Sequence, residues 1–302
     1  MGTKLTSFWM QHRIIYLKLV LTMAIWGGTF AIGRVIAQTL SPFTAGFGRF
    51  AVASIFLWLL TSFKGEKLAK LNSRQILLVI CLGLSGVVAY NLFFFLGLKD
   101  ISASRAGLII ALNPVCITLA SRIFFQEKLT YLKLVGIVTS LIGAGLIITK
   151  GNISAMFSQG VGKGELAILG CVISWVIYSL VGKLAMQKLS PLTTTTYGIW
   201  VGTALLLPFA IWEQDNHLPQ IDLLTGLGLG YLGILATVIA FNWYYEGIQA
   251  VGASKAAIFI NLVPMFAITF GTIFLQESLS TVILLGGGLV ILGVSLVNRQ
   301  HV

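Results

Sequence analysis

Long apolar stretches alternate with short polar segments along almost the whole chain. A helix needs about 20 apolar residues to cross the ~30 Å hydrocarbon layer of a bilayer, and each stretch approaches or exceeds that length. None shows the period-two alternation that is typical of a barrel strand. We therefore predict an all-α polytopic membrane protein with ten transmembrane helices, at 17–38, 43–63, 75–97, 102–123, 131–149, 165–186, 192–212, 222–247, 253–275 and 280–298.

The second half of the chain repeats the first about 150 residues later. When 95–149 is aligned with 245–299, sixteen of the fifty-five pairs are identical. A similar offset in the first helices aligns Trp26 with Trp175. Five helices per half is an odd number, so the second copy enters the membrane from the opposite face. This predicts two inverted five-helix repeats, 17–149 and 165–298, around a central cavity that can open to each side in turn.

The composition supports a membrane protein and its charge indicates an orientation. Hydrophobic residues make up 57% and charged residues 10% of the chain, against roughly 25% charged residues in soluble domains. If the N-terminus is cytoplasmic, the inner segments hold fourteen of the twenty Lys and Arg residues. The positive-inside rule then predicts that both termini are cytoplasmic. The net charge of +11 thus reflects orientation and predicts no nucleic-acid partner.

The sequence contains little that a membrane enzyme would need. It has no HExxH motif and no carboxylate dyad, no His lies within a predicted span, and the one Asp in a span, Asp222, is the first residue of the eighth. Cys81, Cys116 and Cys171 fall inside spans without metal-ligand spacing, which favours packing thiols and predicts neither a metal nor a cofactor. The inverted repeat favours an alternating-access transporter. A facilitative channel and a membrane-embedded sensor or assembly subunit stay as alternatives, and an enzyme is the weakest.

A set of short motifs runs along the chain, and those of the fourth helix and of the loop after it have counterparts in the second half. They are Trp26-Gly27, Arg49-Phe50, Asn113-Pro114-Val115 with Gln126-Glu127-Lys128-Leu129, Asn261-Leu262-Val263-Pro264 with Gln276-Glu277-Ser278-Leu279, and glycines at 136, 143, 145, 286, 287, 288 and 293. In this ordered set the chain resembles the drug/metabolite transporter superfamily, in its ten-helix form with two EamA-type domains. The resemblance implies an inner-membrane carrier, commonly an exporter of amino acids, related metabolites or drugs. It also implies a cavity lined by the first, third, fourth, sixth, eighth and ninth helices, with the fifth and tenth as scaffold.

Polar and aromatic side chains within spans are the candidates for substrate binding, because an unpaired polar group is costly in hydrocarbon. Aromatic rings supply apolar area and amides supply orientation, which suits a small amphipathic solute. Packing between helices is the alternative role for each residue. The candidates are Trp26, Tyr90, Asn91, Phe94, Asn113, Trp175, Tyr178, Asn242, Tyr245 and Asn261.

Pro114 and Pro264 predict kinks in the fourth and ninth helices, because each proline removes an N–H and frees the carbonyl four residues earlier. Such kinks are sites where a helix can bend during gating. Glu246 is the acid nearest to the aromatic candidates and is the candidate for proton coupling, with Lys255 as its expected partner.

The positions of three further charged residues, Arg105, Glu277 and Arg49, also indicate roles for them. Ser104 is the expected N-cap of the fourth helix, which would place Arg105 at the headgroup boundary. Glu277 is expected to have a structural role next to a cap of the tenth helix. Arg49 could reach the outer surface or attract a carboxylate or phosphate, although the second helix is not a usual cavity wall.

The sequence predicts a small-molecule substrate and the lipid bilayer as partners, in a bacterial inner (plasma) membrane. No feature supports a homodimer. The sequence leaves open the identity of the substrate and the direction of transport. It also does not decide whether transport is coupled to an ion or proceeds by facilitated exchange.

Overall fold

The computed structural model of the protein describes residues 2–63, 68, 70–126, 130–151, 161–213, 221–251 and 259–298. All the regular structure in these ranges is helical. The helices of the first half are α1 (Gly2–Thr39), α2 (Pro42–Phe63), α3 (Ser73–Asp100), α4 (Ala103–Ile110), α5 (Asn113–Phe125) and α6 (Tyr131–Thr149). Those of the second half are α7 (Lys163–Ala185), α8 (Pro191–Trp212), α9 (Leu223–Val251), α10 (Val263–Leu275) and α11 (Thr281–Asn298).

Eight helical stretches of the described residues are long and apolar enough to cross a membrane, with α4 and α5 counted together. Two shorter apolar helices, Ile260–Leu275 and Thr281–Leu296, complete the set. The predicted ninth span begins at residue 253, and its first residues lie outside the described part of the chain. Each of the ten predicted spans thus overlaps an apolar helix of the described residues, while the count of ten transmembrane helices stays a prediction.

Two helices contain a π-helical segment, at Gly83–Ala89 in α3 and at Tyr231–Ile239 in α9. The wider turn leaves backbone groups with poorer partners, and π segments are rare and often occur at functional sites. Side chains provide additional bonds here. Asn91 Nδ2 donates to the carbonyl of Val87 at 2.9 Å, and Thr237 Oγ1 donates to that of Leu232 at 2.8 Å.

Both predicted proline kinks coincide with interruptions of the helix. In the first half the α-helix stops at Ile110 and resumes at Asn113, so that Pro114 falls in the first turn of α5. In the second half a 3₁₀ turn, Ile260–Leu262, precedes α10 and Pro264. Proline suits the first turn, where its missing N–H has no helical partner in any case.

Helices α6 and α11 pack backbone to backbone through glycine. A Cβ added to Gly143 would lie 2.5 Å from the carbonyl oxygen of Gly286, and one added to Gly293 would lie 2.5 Å from that of Gly136. Ser140 Oγ also donates to the carbonyl of Val290 at 3.2 Å. Small residues are what permits such an approach in lipid, where no hydrophobic force drives helices together.

The principal helix contacts join the two halves of the chain. Helix α1 packs on α9 and α10, and α7 packs on α3, α4 and α5. Helix α2 packs on α8, as α6 does on α11. Large apolar side chains remain exposed on the outside of the bundle, among them Leu141, Ile142 and Leu285. Such an apolar surface is suited to lipid.

Candidate substrate cavity

A cavity of about 370 Å³ lies between the two halves. This volume is at the small end of the range of ligand sites. Eight of its lining side chains are aromatic: Trp26, Phe30, Tyr90, Phe94, Trp175, Tyr178, Phe241 and Tyr244. The remaining lining residues that bear on its chemistry are Thr29, Arg49, Asn113, Pro114, Ser179, Asn261 and Pro264.

One aromatic wall is built around Trp26 of α1. Its indole Nε1 donates to the carbonyl of Ala236 at 3.0 Å, within the π segment of α9. Its ring lies 5.4 Å from the ring of Phe241 and 5.4 Å from that of Tyr244. The hydrogen bond fixes the indole, so a first-half side chain is held against the second half beside the cavity.

The opposite wall is built around Trp175 of α7. Its ring lies 5.5 Å from Tyr90 and 5.1 Å from Tyr178, and Tyr90 stacks on Phe94 at 6.0 Å. Here a second-half tryptophan packs on α3 of the first half. Each wall therefore contains a tryptophan of one half that packs on a helix of the other half.

Arg49 of α2 lines the cavity between the two π-containing helices. Its Nη1 donates to Asn91 Oδ1 at 3.1 Å, and its Nη2 reaches Thr237 Oγ1 at 3.5 Å. The guanidinium carbon lies 5.0 Å from the ring centre of Phe50, a cation–π contact. Arg49 is thus held from both halves, one partner in α3 and one in α9.

Two asparagines line the cavity at the interrupted helices. Asn113 Oδ1 is buried and has no hydrogen-bond partner within the described residues. Asn261 Nδ2 donates to Ser295 Oγ at 3.3 Å. The Asn113 oxygen is therefore an acceptor that a bound solute can use.

The structure brings most of the predicted site residues together. Those that line the cavity are Trp26, Tyr90, Phe94, Asn113, Trp175, Tyr178, Asn261, Pro114 and Pro264. Asn91 is 1% exposed and lies behind Arg49, outside the lining. Asn242 also lies outside it and donates to Glu246 Oε1 at 3.0 Å. The side chain of Tyr245 is not among those described, and Phe241 and Tyr244 form the lining on α9.

Glu246 lies outside the cavity lining and pairs with Lys18 of α1, with Nζ 2.6 Å from Oε2. The sequence-based prediction had named Lys255, which is outside the described residues. Lys18 is 228 positions away in the chain, so no local sequence pattern indicates this pair. The side chain of Glu246 is 37% exposed, so the pair is a partly exposed one.

The prediction for the start of the fourth helix was wrong. Ser102, not Ser104, is the N-cap of α4, and its side chain accepts from the N–H of Arg105 at 3.2 Å. Arg105 is 6% exposed, pairs with Glu165 of α7 and donates to the carbonyls of Ile147 and Ile148. It is therefore a buried link between helices and not a headgroup marker.

Glu277 has a structural role that the sequence did not predict in detail. Its carboxylate accepts from the N–H groups of Ala103 and Ser104 at 2.7 and 3.0 Å and from Ser104 Oγ at 2.6 Å. Arg34 Nε lies 3.8 Å from the same carboxylate. A residue of the second half thus caps α4 of the first.

A bundle of apolar helices that encloses an aromatic cavity is typical of an integral membrane protein of the transporter class. The comparisons with known proteins agree. The chain matches the EamA-like transporter family twice, over residues 13–149 and 162–299. It belongs to that family.

Similar proteins extend over nearly the whole chain. An uncharacterized transporter of Archaeoglobus fulgidus is 31% identical and covers 95% of this chain and 98% of its own length. A probable terminal-alkyne amino-acid exporter of Streptantibioticus cattleyicolor is 26% identical over 93% of this chain and 92% of its own. One solved crystal structure superposes with a TM-score of 0.67 over 93% of this chain and 97% of its own, at 18% identity, which shows a shared fold.

Proposed function

We propose that the protein is an alternating-access transporter that exports a small amphipathic metabolite, such as an amino acid, or a drug. The observation that carries this proposal is the aromatic cavity of about 370 Å³ between the two halves. The similar protein described as a probable amino-acid exporter supports the substrate class. We further propose ten transmembrane helices in two five-helix repeats, 17–149 and 165–298, inserted with opposite orientation.

Contacts at the helix ends support the inversion. Thr39 at the end of α1 lies 3.3 Å, hydroxyl to hydroxyl, from Thr225 in the first turn of α9. Glu213, at the end of α8, accepts from the N–H groups of Phe43 and Thr44 at 2.9 and 3.0 Å. The end of α1 and the start of α2 therefore lie beside the end of α8 and the start of α9. Repeats of the same orientation would bring first loops together.

Reciprocal contacts support a pseudo-two-fold axis. Gly143 meets Gly286, and their repeat equivalents, Gly293 and Gly136, meet in the same way. Ser54 and Thr203 occupy equivalent positions and lie 3.0 Å apart, hydroxyl to hydroxyl. Contacts of this kind are expected when two similar units are related by two-fold rotation.

For the location, we propose a bacterial inner membrane with both termini in the cytoplasm, as the distribution of Lys and Arg indicates. Single cysteines placed in 64–72 and in 214–220 should then react with impermeant reagents from opposite sides. Labelling of both from one side would contradict the inversion.

Replacing Trp26 with alanine should reduce substrate flux at least about tenfold, because the variant loses a cavity wall and the bond to Ala236. The measurement is counterflow in proteoliposomes with a panel of amino acids, amines and nucleobases. Trp212→Ala is the matched control, since that indole is 76% exposed on the outside of the bundle. Single-channel currents in place of saturable counterflow would reject a carrier.

Proton exchange by Glu246 also stays a prediction. Glu246→Gln cannot bind or release a proton at this position, so any pH dependence of flux that comes from Glu246 should be lost. Flux would be measured against pH in the same proteoliposomes. Asp100→Asn is the control, because Asp100 is an exposed acid at the end of α3. An unchanged pH profile in Glu246→Gln would remove this residue as a proton site.

A further inference from the structure

Arg49 is the one charged side chain among the described residues that line the cavity. It lies seven residues after Pro42, the first residue of α2, which places it about 10 Å along the helix. A cation at such a depth in a membrane protein is costly, and charged groups there generally serve a substrate or ion pathway. An anion that neutralises the charge of Arg49 is therefore expected at this position.

Within the described residues no carboxylate pairs with Arg49. The ion pairs there are Lys18–Glu246, Arg34–Glu277 and Arg105–Glu165. The carboxylates of Glu213 and Asp222 accept from backbone N–H groups at the starts of α2 and α9. The negative partner of Arg49 therefore has to come from elsewhere.

The guanidinium of Arg49 is held in place, but some of its N–H groups have no hydrogen-bond partner within the described residues. Of its five N–H groups, one donates to Asn91 and one reaches Thr237, and Nε has no partner within the described residues. Because the partners that hold it, Asn91 and Thr237, belong to opposite halves, a charge bound at Arg49 would act on both halves at once. An arginine fixed by neutral partners keeps its charge and can donate charge-assisted hydrogen bonds to an anion.

We propose that Arg49 binds the negatively charged group of the transported solute, and that the solute is a carboxylate with an apolar body. This inference rests on the proposed transport function. One lining cation matches the single charge of a carboxylate, whereas a phosphate monoester carries about −1.5 to −2 at pH 7. The eight aromatic side chains then receive the apolar body.

The test compares solutes that differ only in the charged group. Binding to the purified protein in detergent is measured by the shift in thermal unfolding with phenylacetate, L-phenylalanine, their primary amides and phenyl phosphate. The variants are Arg49→Gln, which removes the charge, and Arg49→Lys, which retains it. Arg74→Gln is the matched control, because Arg74 is exposed at the start of α3.

We expect the wild type and Arg74→Gln to bind at least one carboxylate about tenfold tighter than its amide, and Arg49→Gln to lose that preference. Arg49→Lys should retain part of it. Equal binding of amide and carboxylate, tighter binding of phenyl phosphate, or an undiminished preference in Arg49→Gln would overturn the proposal. A wild type that binds no carboxylate would also overturn the proposal. If Arg49→Gln does not fold, the preference for carboxylate over amide is compared between the wild type and Arg49→Lys, and this comparison still tests the proposal.

The flux panel separates this inference from the proposed function. A wild type that exchanges only amines or neutral nucleobases remains a transporter, and the inference about Arg49 fails. A wild type that binds a carboxylate through Arg49 but exchanges neither that carboxylate nor any solute of the panel contradicts transport, and the anion site stands.

Discussion

The Gly293→Leu variant is expected to lose about 3 kcal/mol or more of stability, at the upper end of the usual cost of overpacking. An added Cβ would lie 2.5 Å from the carbonyl oxygen of Gly136 and 2.5 Å from the amide nitrogen of Ser140. Both are backbone atoms of α6, which cannot rotate away as a side chain can. The only relief is separation of α6 from α11, and that gives up the close packing on which helix association in lipid depends.

Gly288→Leu is the matched control on the same helix. A Cβ at Gly288 meets nothing within 4 Å, so the leucine projects into open space. Leucine also has a helix propensity better than that of glycine by somewhat under 1 kcal/mol, which makes this control neutral or slightly stabilising. The measurement is thermal unfolding in detergent, followed by tryptophan fluorescence. Equal melting temperatures for the two variants would show that α6 and α11 do not cross at these glycines.

The elements of this fold could be predicted because lipid imposes a simple rule on the sequence. Every backbone polar group must be satisfied within its own helix, so a long apolar stretch has few alternatives to a helix. The glycines that recur in the fifth and tenth helices belong to the family pattern, and only the structure shows that they bring α6 and α11 into close contact. The duplicated motifs gave the family, because they recur in order in both halves.

The side of each helix that faces the cavity could not be predicted. A helix that is apolar all round has no stripe that distinguishes its inner face. Successive residues point about 100° apart, so Tyr90 lines the cavity while Asn91 lies behind it against Arg49. On α9 the same rotation places Phe241 and Tyr244 in the lining and leaves Asn242 beside Glu246.

The sequence left two positions open for the Arg49 side chain, the outer surface or the substrate cavity, and could not decide between them. The contacts of the Arg49 side chain depend on which helices pack beside α2. They also depend on two π segments, one that ends two residues before Asn91 and one that contains Thr237. A π segment has the same apolar composition as the α-helix around it, so no residue type marks its presence. Its occurrence in both α3 and α9 was visible only from the backbone.

The other large effect is expected at Glu277, where Glu277→Gln should reduce stability by about 3 kcal/mol. The carboxylate side chain is only 9% exposed and accepts three hydrogen bonds from Ala103 and Ser104. Glutamine has the same shape, but one of its two oxygens becomes an NH₂ group that would face donors and cannot accept. Arg34, 3.8 Å away, also loses its negative partner. Leaving buried donors without an acceptor costs about 1–3 kcal/mol, more for charged groups.

The effect of Glu277→Gln should be confined to stability, because Glu277 is not among the residues that line the cavity. Asp100→Asn removes an acid at the end of α3, the helix immediately before the one that Glu277 caps, and should change the stability by no more than about 0.5 kcal/mol. Both variants would be compared with the wild type by thermal unfolding in detergent and by the relative binding of phenylacetate and phenylacetamide. A lower melting temperature with an unchanged preference between the two solutes is the expected result for Glu277→Gln. Wild-type stability in this variant would mean that the second half does not hold α4 through this carboxylate.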